Sequence, residues 1–136
     1  MNDQPPAPDF SAPDFSKAPA LRTFAMPADT NANGDIFGGW VLSQMDLAGA
    51  AKAVRRARGK VATVGIEAMK FYRPVAVGDE LNCYTEILAV GRTSIRVRID
   101  TWVRRGATGE AVQVTEGVFT YVAIGEDGRP RPVGAE

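Results

Sequence analysis

A chain of 136 residues and 14.5 kDa has room for one domain and no second sizeable core. Sixteen Lys/Arg balance sixteen Asp/Glu, and 45% hydrophobic against 24% charged residues is the mix of a globular protein, not of a disordered chain or a nucleic-acid binder driven by a basic surface. The sequence contains no histidine, which removes Ser-His-Asp and Cys-His nucleophilic catalysis, imidazole bases and nearly all zinc or iron sites, so chemistry must run on carboxylates, amides, hydroxyls, arginines and backbone dipoles.

Residues 1–20 hold Pro5, Pro6, Pro8, Pro13 and Pro19 and a five-residue duplication, Ala7 to Ser11 followed by Ala12 to Ser16. This segment lacks the basic flank and apolar run of a secretory signal and is read as a disordered tail; a docking peptide using Phe10 and Phe15 is the sharper alternative. The domain spans 21–124. It opens with a short edge strand, Leu21 to Met26, and a loop from Pro27 to Gly34 rich in Asp, Asn and Thr. Helical spacing runs from Gly38 to about Ala57, apolar or small nearly all round through Ala51, which predicts burial on most faces. Its end turns basic at Lys52, Arg55, Arg56 and Arg58, and Gly59 supplies the stop. Four strands follow: Val61 to Tyr72, Glu80 to Val90, Ser94 to Arg104 and Glu110 to Ile124, the third alternating cleanly between Ile95, Val97, Ile99 and Arg96, Arg98, Asp100. Residues 125–136 read as a turn and a C-terminal tail. The order predicts an α+β domain, an antiparallel sheet with a four-strand meander wrapped around one long central helix. Its open face or edge predicts dimerisation.

The densest polar cluster, Asp29 to Trp40, leads into the helix. Gly38 and Gly39 leave the first-turn N–H groups uncovered, the design of an oxyanion hole; from the glycines alone, a tight turn or close helix–sheet packing is the simpler reading. Asp46 sits among Val41, Leu42, Met45, Leu47, Ala48, Ala50 and Ala51, none of which offers it a polar partner. A buried, unpaired carboxylate is costly, so Asp46 is either a working group or a structural carboxylate bonded across a subunit interface.

The run from Ala25 through Asn31, Gly34, Phe37-Gly38-Gly39-Trp40 to Asp46 closely resembles the YciA-type acyl-CoA thioesterases of the hotdog-fold superfamily. The similarity continues through Met69, Phe71, Arg73-Pro74-Val75, Gly78-Asp79, Gly91 to Ser94, Trp102-Val103 and Tyr121-Val122-Ala123. The resemblance implies hydrolysis of an acyl-CoA to free fatty or carboxylic acid and CoA, with no metal and no cofactor beyond the CoA of the substrate. It implies dimers whose helices lie side by side inside one continuous sheet, usually built into hexamers as trimers of dimers. By position it makes Asp46 the catalytic carboxylate, as base or nucleophile, Asn31 its amide partner from the facing subunit, and the Gly39 N–H the oxyanion donor.

Two basic stretches suit a CoA ligand. Lys52 to Arg73 carries seven Lys/Arg and one acid, Glu67, and Arg92 to Arg105 carries five and one, Asp100. By resemblance Arg92-Thr93-Ser94 is the candidate CoA contact, with Arg105 and Arg58 as further candidates; for any single arginine a solvated face is the simpler reading. Phe37 and Gly38 are counted with the substrate contacts. Met69 and Phe71 are candidates for the acyl channel, or plain core, and Cys83 reads as core. One cysteine and no apolar run of spanning length favour a cytoplasmic protein without a membrane or nucleic-acid partner. The rivals are a non-catalytic acyl-CoA sensor, which usually carries a DNA-binding segment, and a dehydratase or hydratase, which typically needs histidine.

Overall fold

The computed structural model describes residues 13–136. Strand β1 (Leu21–Phe24) is followed by a short 3-10 turn (Pro27–Asp29), helix α1 (Gly38–Ala57) and strands β2 (Val61–Phe71), β3 (Glu80–Val90), β4 (Ser94–Arg104) and β5 (Ala111–Ala123). One antiparallel sheet has the order β1-β3-β4-β5-β2. Only β3, β4 and β5 form a meander, which corrects the four-strand meander expected from sequence. β2 instead pairs with β5 at the far edge, Val61 opposite Ala123 and Phe71 opposite Thr115. The link 72–79 contains Pro74 and is no tight hairpin turn; extended, it reaches roughly 26 Å, ample for the ~14 Å across three strand spacings.

Helix α1 lies in the curve of this sheet. Val41, Met45, Ala48, Gly49, Ala53 and Ala57 recur at three- and four-residue spacing and are buried, packing in one core with Ile95, Val97, Ile99, Phe119 and Tyr121. Within one chain burial stops at that stripe. Leu47 is 60% exposed and Val54 41%, so the helix is not buried on most faces as its composition predicted. Edge strand β2 shows the same excess, with Val64 60% and Ile66 47% exposed. The apolar content exceeds what one sheet can cover, and the surplus lies on the helix and on the sheet's last strand, where a second chain can bury it.

Gly49 marks the closest approach of helix and sheet. A Cβ there would stand 2.6 Å from Ile99 Cδ1 and would overlap the Tyr121 hydroxyl. At the N-terminus, Phe15 meets Tyr84 and Trp102 edge-on, with ring centroids 5.9 and 5.4 Å apart, and Ala20 N–H bonds to Cys83 O at 2.9 Å. The first copy of the duplication, with Phe10, lies outside the described residues. At the C-terminus, Arg131 N–H bonds to Ala123 O and Val133 N–H to Arg92 O, both at 2.9 Å, and the Val133 side chain is buried.

Candidate active site

Asp46 lies about two turns into α1 and is half-buried. Its helical neighbours are as apolar as the sequence suggested; its partners come from the sheet. Thr63 and Tyr121 face each other across β2 and β5, a pairing that brings side chains on one face close together. Thr63 Oγ1 donates to Asp46 Oδ1 at 2.7 Å, and the Tyr121 hydroxyl lies 3.1 Å from the same oxygen and 3.0 Å from the Asp46 main-chain oxygen. Among the described residues nothing donates to Oδ2. Asp46 is therefore neither unpaired nor fully satisfied: one oxygen is held and one is available.

The entry to the helix is open. Phe37 caps it with extended backbone (ψ 136) and no side-chain hydrogen bond, and its carbonyl accepts the N–H groups of Trp40 and Val41 at 3.1 and 3.3 Å. The N–H groups of Gly38 and Gly39 meet no acceptor among the described residues. Neither glycine has positive φ, and a Cβ on Gly39 would meet nothing within 4 Å. Backbone conformation and crowding within the chain thus both fail to explain Gly39, whose N–H is open to what lies outside the chain. Phe71, on the helix side of β2, comes within 3.9 Å of where a Gly38 Cβ would stand, and both Phe71 and Phe37 are 52% exposed. Met69 also faces α1 but tucks its sulfur against Gly117, half-buried against the core.

Asn31 is held by its own loop. Its Oδ1 accepts the N–H groups of Asn33 at 2.8 Å and Asp35 at 3.2 Å, and its N–H bonds to Asp35 O at 2.6 Å. The side-chain oxygen is thereby occupied, and its NH2 donors have no partner among the described residues. No hydrogen bond joins Asn31 to Asp46 of the same chain.

The cationic candidates separate into two places. Arg58 caps the C-terminus of α1 in a left-handed conformation (φ 55), roughly 18 Å along the helix from Asp46. Arg92 and Thr93 lie at that same end: Thr93 O accepts from Ala123 N–H, and Lys60 O from Ile124 N–H, both at 2.9 Å. Ser94 opens β4 and pairs with Val122. Arg58 and Arg92 are exposed and in no ion pair among the described residues. Arg105 belongs to the opposite end, where it is paired with Asp79 and also donates to Pro74 O at 3.2 Å. Arg96 is paired with Glu67, and Arg98 lies 3.8 Å from Glu116, so part of the second basic stretch is spent within the chain. Cys83 is fully buried beside Thr101, and burial pushes its thiol up to about 12, an inert core group.

Sequence reasoning missed Thr63, Tyr121 and Gly49. Thr63 meets Tyr121 through the β2–β5 pairing and Gly49 meets it through helix–sheet packing, and periodicity within one element reveals neither.

Comparison with known proteins points one way. A family model described as the thioesterase superfamily matches residues 33–110. The chain is 54% identical over 116 residues, 83% of its length and 87% of the relative's, to the acyl-CoA thioester hydrolase YciA of Salmonella typhimurium. It is similar to the hexameric thioesterase of Yersinia pestis, with TM-score 0.83 and 50% identity over 87% of this chain and 96% of that one. A hexameric hotdog fold thioesterase of Campylobacter jejuni gives TM-score 0.83 at 39% identity, over 87% and 91% of the two chains.

Proposed function

The chain belongs to the thioesterase superfamily and is an acyl-CoA thioester hydrolase, and from that premise we propose that Asp46 drives the hydrolysis, without a metal, at a site completed by Asn31 of the partner subunit. The observation that carries this reading is the state of Asp46: Oδ1 is tied by two hydroxyls while Oδ2 has no donor among the described residues, on a helix whose Gly38 and Gly39 N–H groups are open. The thioester carbonyl oxygen lies on the Gly39 N–H, which takes up the negative charge as the carbonyl becomes tetrahedral. Asp46 Oδ2 draws a proton from water, whose hydroxyl adds to the acyl carbon. The C–S bond then breaks, and the CoA thiolate leaves with the proton. In the alternative sequence Oδ2 attacks the carbonyl itself, the C–S bond breaks to expel the CoA thiolate, and water hydrolyses the resulting anhydride to free acid, regenerating Asp46 and leaving a proton to the thiolate. In a single turnover in heavy-oxygen water, label found in Asp46 identifies the anhydride route, because it enters there only when water attacks the aspartyl carbon of the anhydride.

Asn31 suits the partner role because its oxygen is locked in the turn and its NH2 donors are uncommitted. The exposed apolar residues of α1 and β2 fit a dimer made through that edge, built up to a hexamer like the Yersinia and Campylobacter proteins. Arg92, Thr93, Ser94 and Arg58, at the C-terminal end of the helix, form the region offered to the CoA phosphates; Arg105 lies at the opposite end of the protomer, where Asp79 engages it. Phe37 and Phe71, exposed near the helix entry, line the acyl side, with Met69 behind them. Metal independence is supported by the histidine-free sequence, and turnover is expected to be unchanged by chelator. No helix among the described residues is long and apolar enough to cross a membrane, and the lone buried Cys83 supports a cytoplasmic location.

The test is thiol release from a panel of acyl-CoAs by the unsubstituted chain and by Asp46→Asn. The variant is expected to lose about 10²–10⁴ in kcat with melting temperature and ligand binding little changed. Turnover near that of the unsubstituted chain removes Asp46 from the chemistry. Tight acyl-CoA binding without thiol release in the unsubstituted chain would make it a sensor instead.

A further inference from the structure

We propose that Tyr121 is a positioning residue for Asp46, reaching it through the space left by Gly49 and fixing the rotamer that presents Oδ2 to the reacting carbonyl. This rests on the hydrolase reading above and adds a residue to it. Tyr121 is fully buried, so it touches no substrate. Its one hydroxyl proton lies between two oxygens of the same residue, the Asp46 main-chain oxygen at 3.0 Å and Oδ1 at 3.1 Å. A donor shared between a residue's carbonyl and its own carboxylate meets both in one side-chain rotamer only. Thr63 holds the same Oδ1 at 2.7 Å from the next strand, so rotation that exchanges the two oxygens must break two hydrogen bonds.

The reach of the hydroxyl depends on one position. Gly49 follows Asp46 by three residues, on the neighbouring turn of the same helix face, and any Cβ there would collide with the Tyr121 hydroxyl. A glycine inside a helix weakens it, and phenylalanine at 121 would fill the core without needing a polar partner. The arrangement thus keeps a weak helix position and a buried hydroxyl, and both end on Asp46. Stacking on Phe119, with planes 19° apart and centroids 6.4 Å apart, sets the direction of the ring. Burial, and then the charge of Asp46 beside it, push the Tyr121 phenol well above its usual range, so it stays protonated and serves as donor throughout the working pH range.

The experiment measures kcat and KM for thiol release by the full chain carrying Tyr121→Phe, with and without Asp46→Asn. Loss of a hydrogen bond to a charged group predicts a fall in kcat of about 10-fold to 100-fold with KM within about two-fold. Because Tyr121 acts only through Asp46, adding Tyr121→Phe to Asp46→Asn is expected to cost nothing further. Gly49→Ala is the second variant: it keeps the phenol and displaces it, and should reproduce the kcat loss at near-constant KM. If folded Tyr121→Phe turns over within two-fold of the unsubstituted chain, or slows the Asp46→Asn variant by the same factor as the unsubstituted chain, the positioning role is refuted. If Asp46→Asn itself keeps full turnover, the hydrolytic mechanism fails instead, and the two failures are told apart.

Discussion

Replacing Asp100 with asparagine is expected to stabilise the protein at neutral pH and to flatten its stability between about pH 4 and pH 6. Asp100 is only 5% exposed on the face of β4 away from the helix, with Tyr84 opposite on β3, Glu116 opposite on β5, and Arg98 beside it on its own strand. Gln113 Nε2 donates to its Oδ1 at 2.7 Å. Burial pushes the carboxyl up from 3.8 to about 6; the Trp102 indole, which makes no hydrogen bond of full geometry, and the Gln113 amide pull it back, Glu116 adds to the rise and Arg98 opposes it. The folded chain therefore binds this proton more tightly than the unfolded one. Stability falls as pH rises from about 4 through about 6 and is lowest above that window. A shift of about two units corresponds to a ceiling of about 3 kcal/mol at 1.36 kcal/mol per unit; the new amide must find an acceptor, so a net gain of about 1–2 kcal/mol is expected at neutral pH. Urea unfolding of both chains at equal protomer concentration, at about pH 4.5 and about pH 7.5, reads the difference. Because the carboxyl faces away from α1, kcat should not move. An asparagine variant less stable at the higher pH, or displaced equally at both, would refute the assignment.

Co-expression of Asn31→Ala and Asp46→Asn chains is expected to restore activity well above either homo-oligomer, because random mixed dimers carry one site with both lesions and one with none, leaving about a quarter of all sites intact. Activity equal to the average of the two variants would place the whole site within one protomer. Raising ionic strength is expected to weaken acyl-CoA binding, since exposed charge pairs are screened within about 8–10 Å near physiological salt. An acyl-pantetheine without the nucleotide phosphates should bind less tightly and without that salt dependence; equal sensitivity of both substrates would remove Arg58 and Arg92 from phosphate recognition.

Much of the fold was legible because each element carries a local signal. Clean alternation marks β4, and observed α1, β3 and β4 match the reading to the residue, although the helix stops on a left-handed Arg58 and not on Gly59, whose φ is not positive. β1 stops at Phe24, not Met26, because the ladder breaks at the next pair: Ala25 N–H still reaches Asp79 O at 3.0 Å, but Asp79 N–H turns away to Ala76 O at 3.1 Å. What failed was long-range. Nothing within Val61–Phe71 says that it pairs with β5, and the apolar surround of Asp46 concealed partners that approach from two strands. The apolar helix was real, but part of its apolar surface is reserved for another chain, a distinction composition does not make. Gly39 was ambiguous in sequence and is less so in space, where neither its φ nor its surroundings call for glycine.

The crossing of the link 72–79 sets when the surroundings of Asp46 can assemble during synthesis. β2 leaves the ribosome well before its neighbour, because its register partners run from Thr115 to Ala123, close to the end of the chain. Until those residues emerge, Val61–Phe71 has no strand beside it, and Asp46 has neither its Tyr121 contact nor a rigid Thr63. Such distant pairing makes for slow sheet closure, since the loop entropy must be overcome before any contact compensates it. The nascent chain therefore carries an unpaired apolar edge, and an Asp46 without its sheet partners, from the synthesis of β2 until that of β5. The hydrogen bonds that hold Asp46 Oδ1 close only when β5 locks β2 in place.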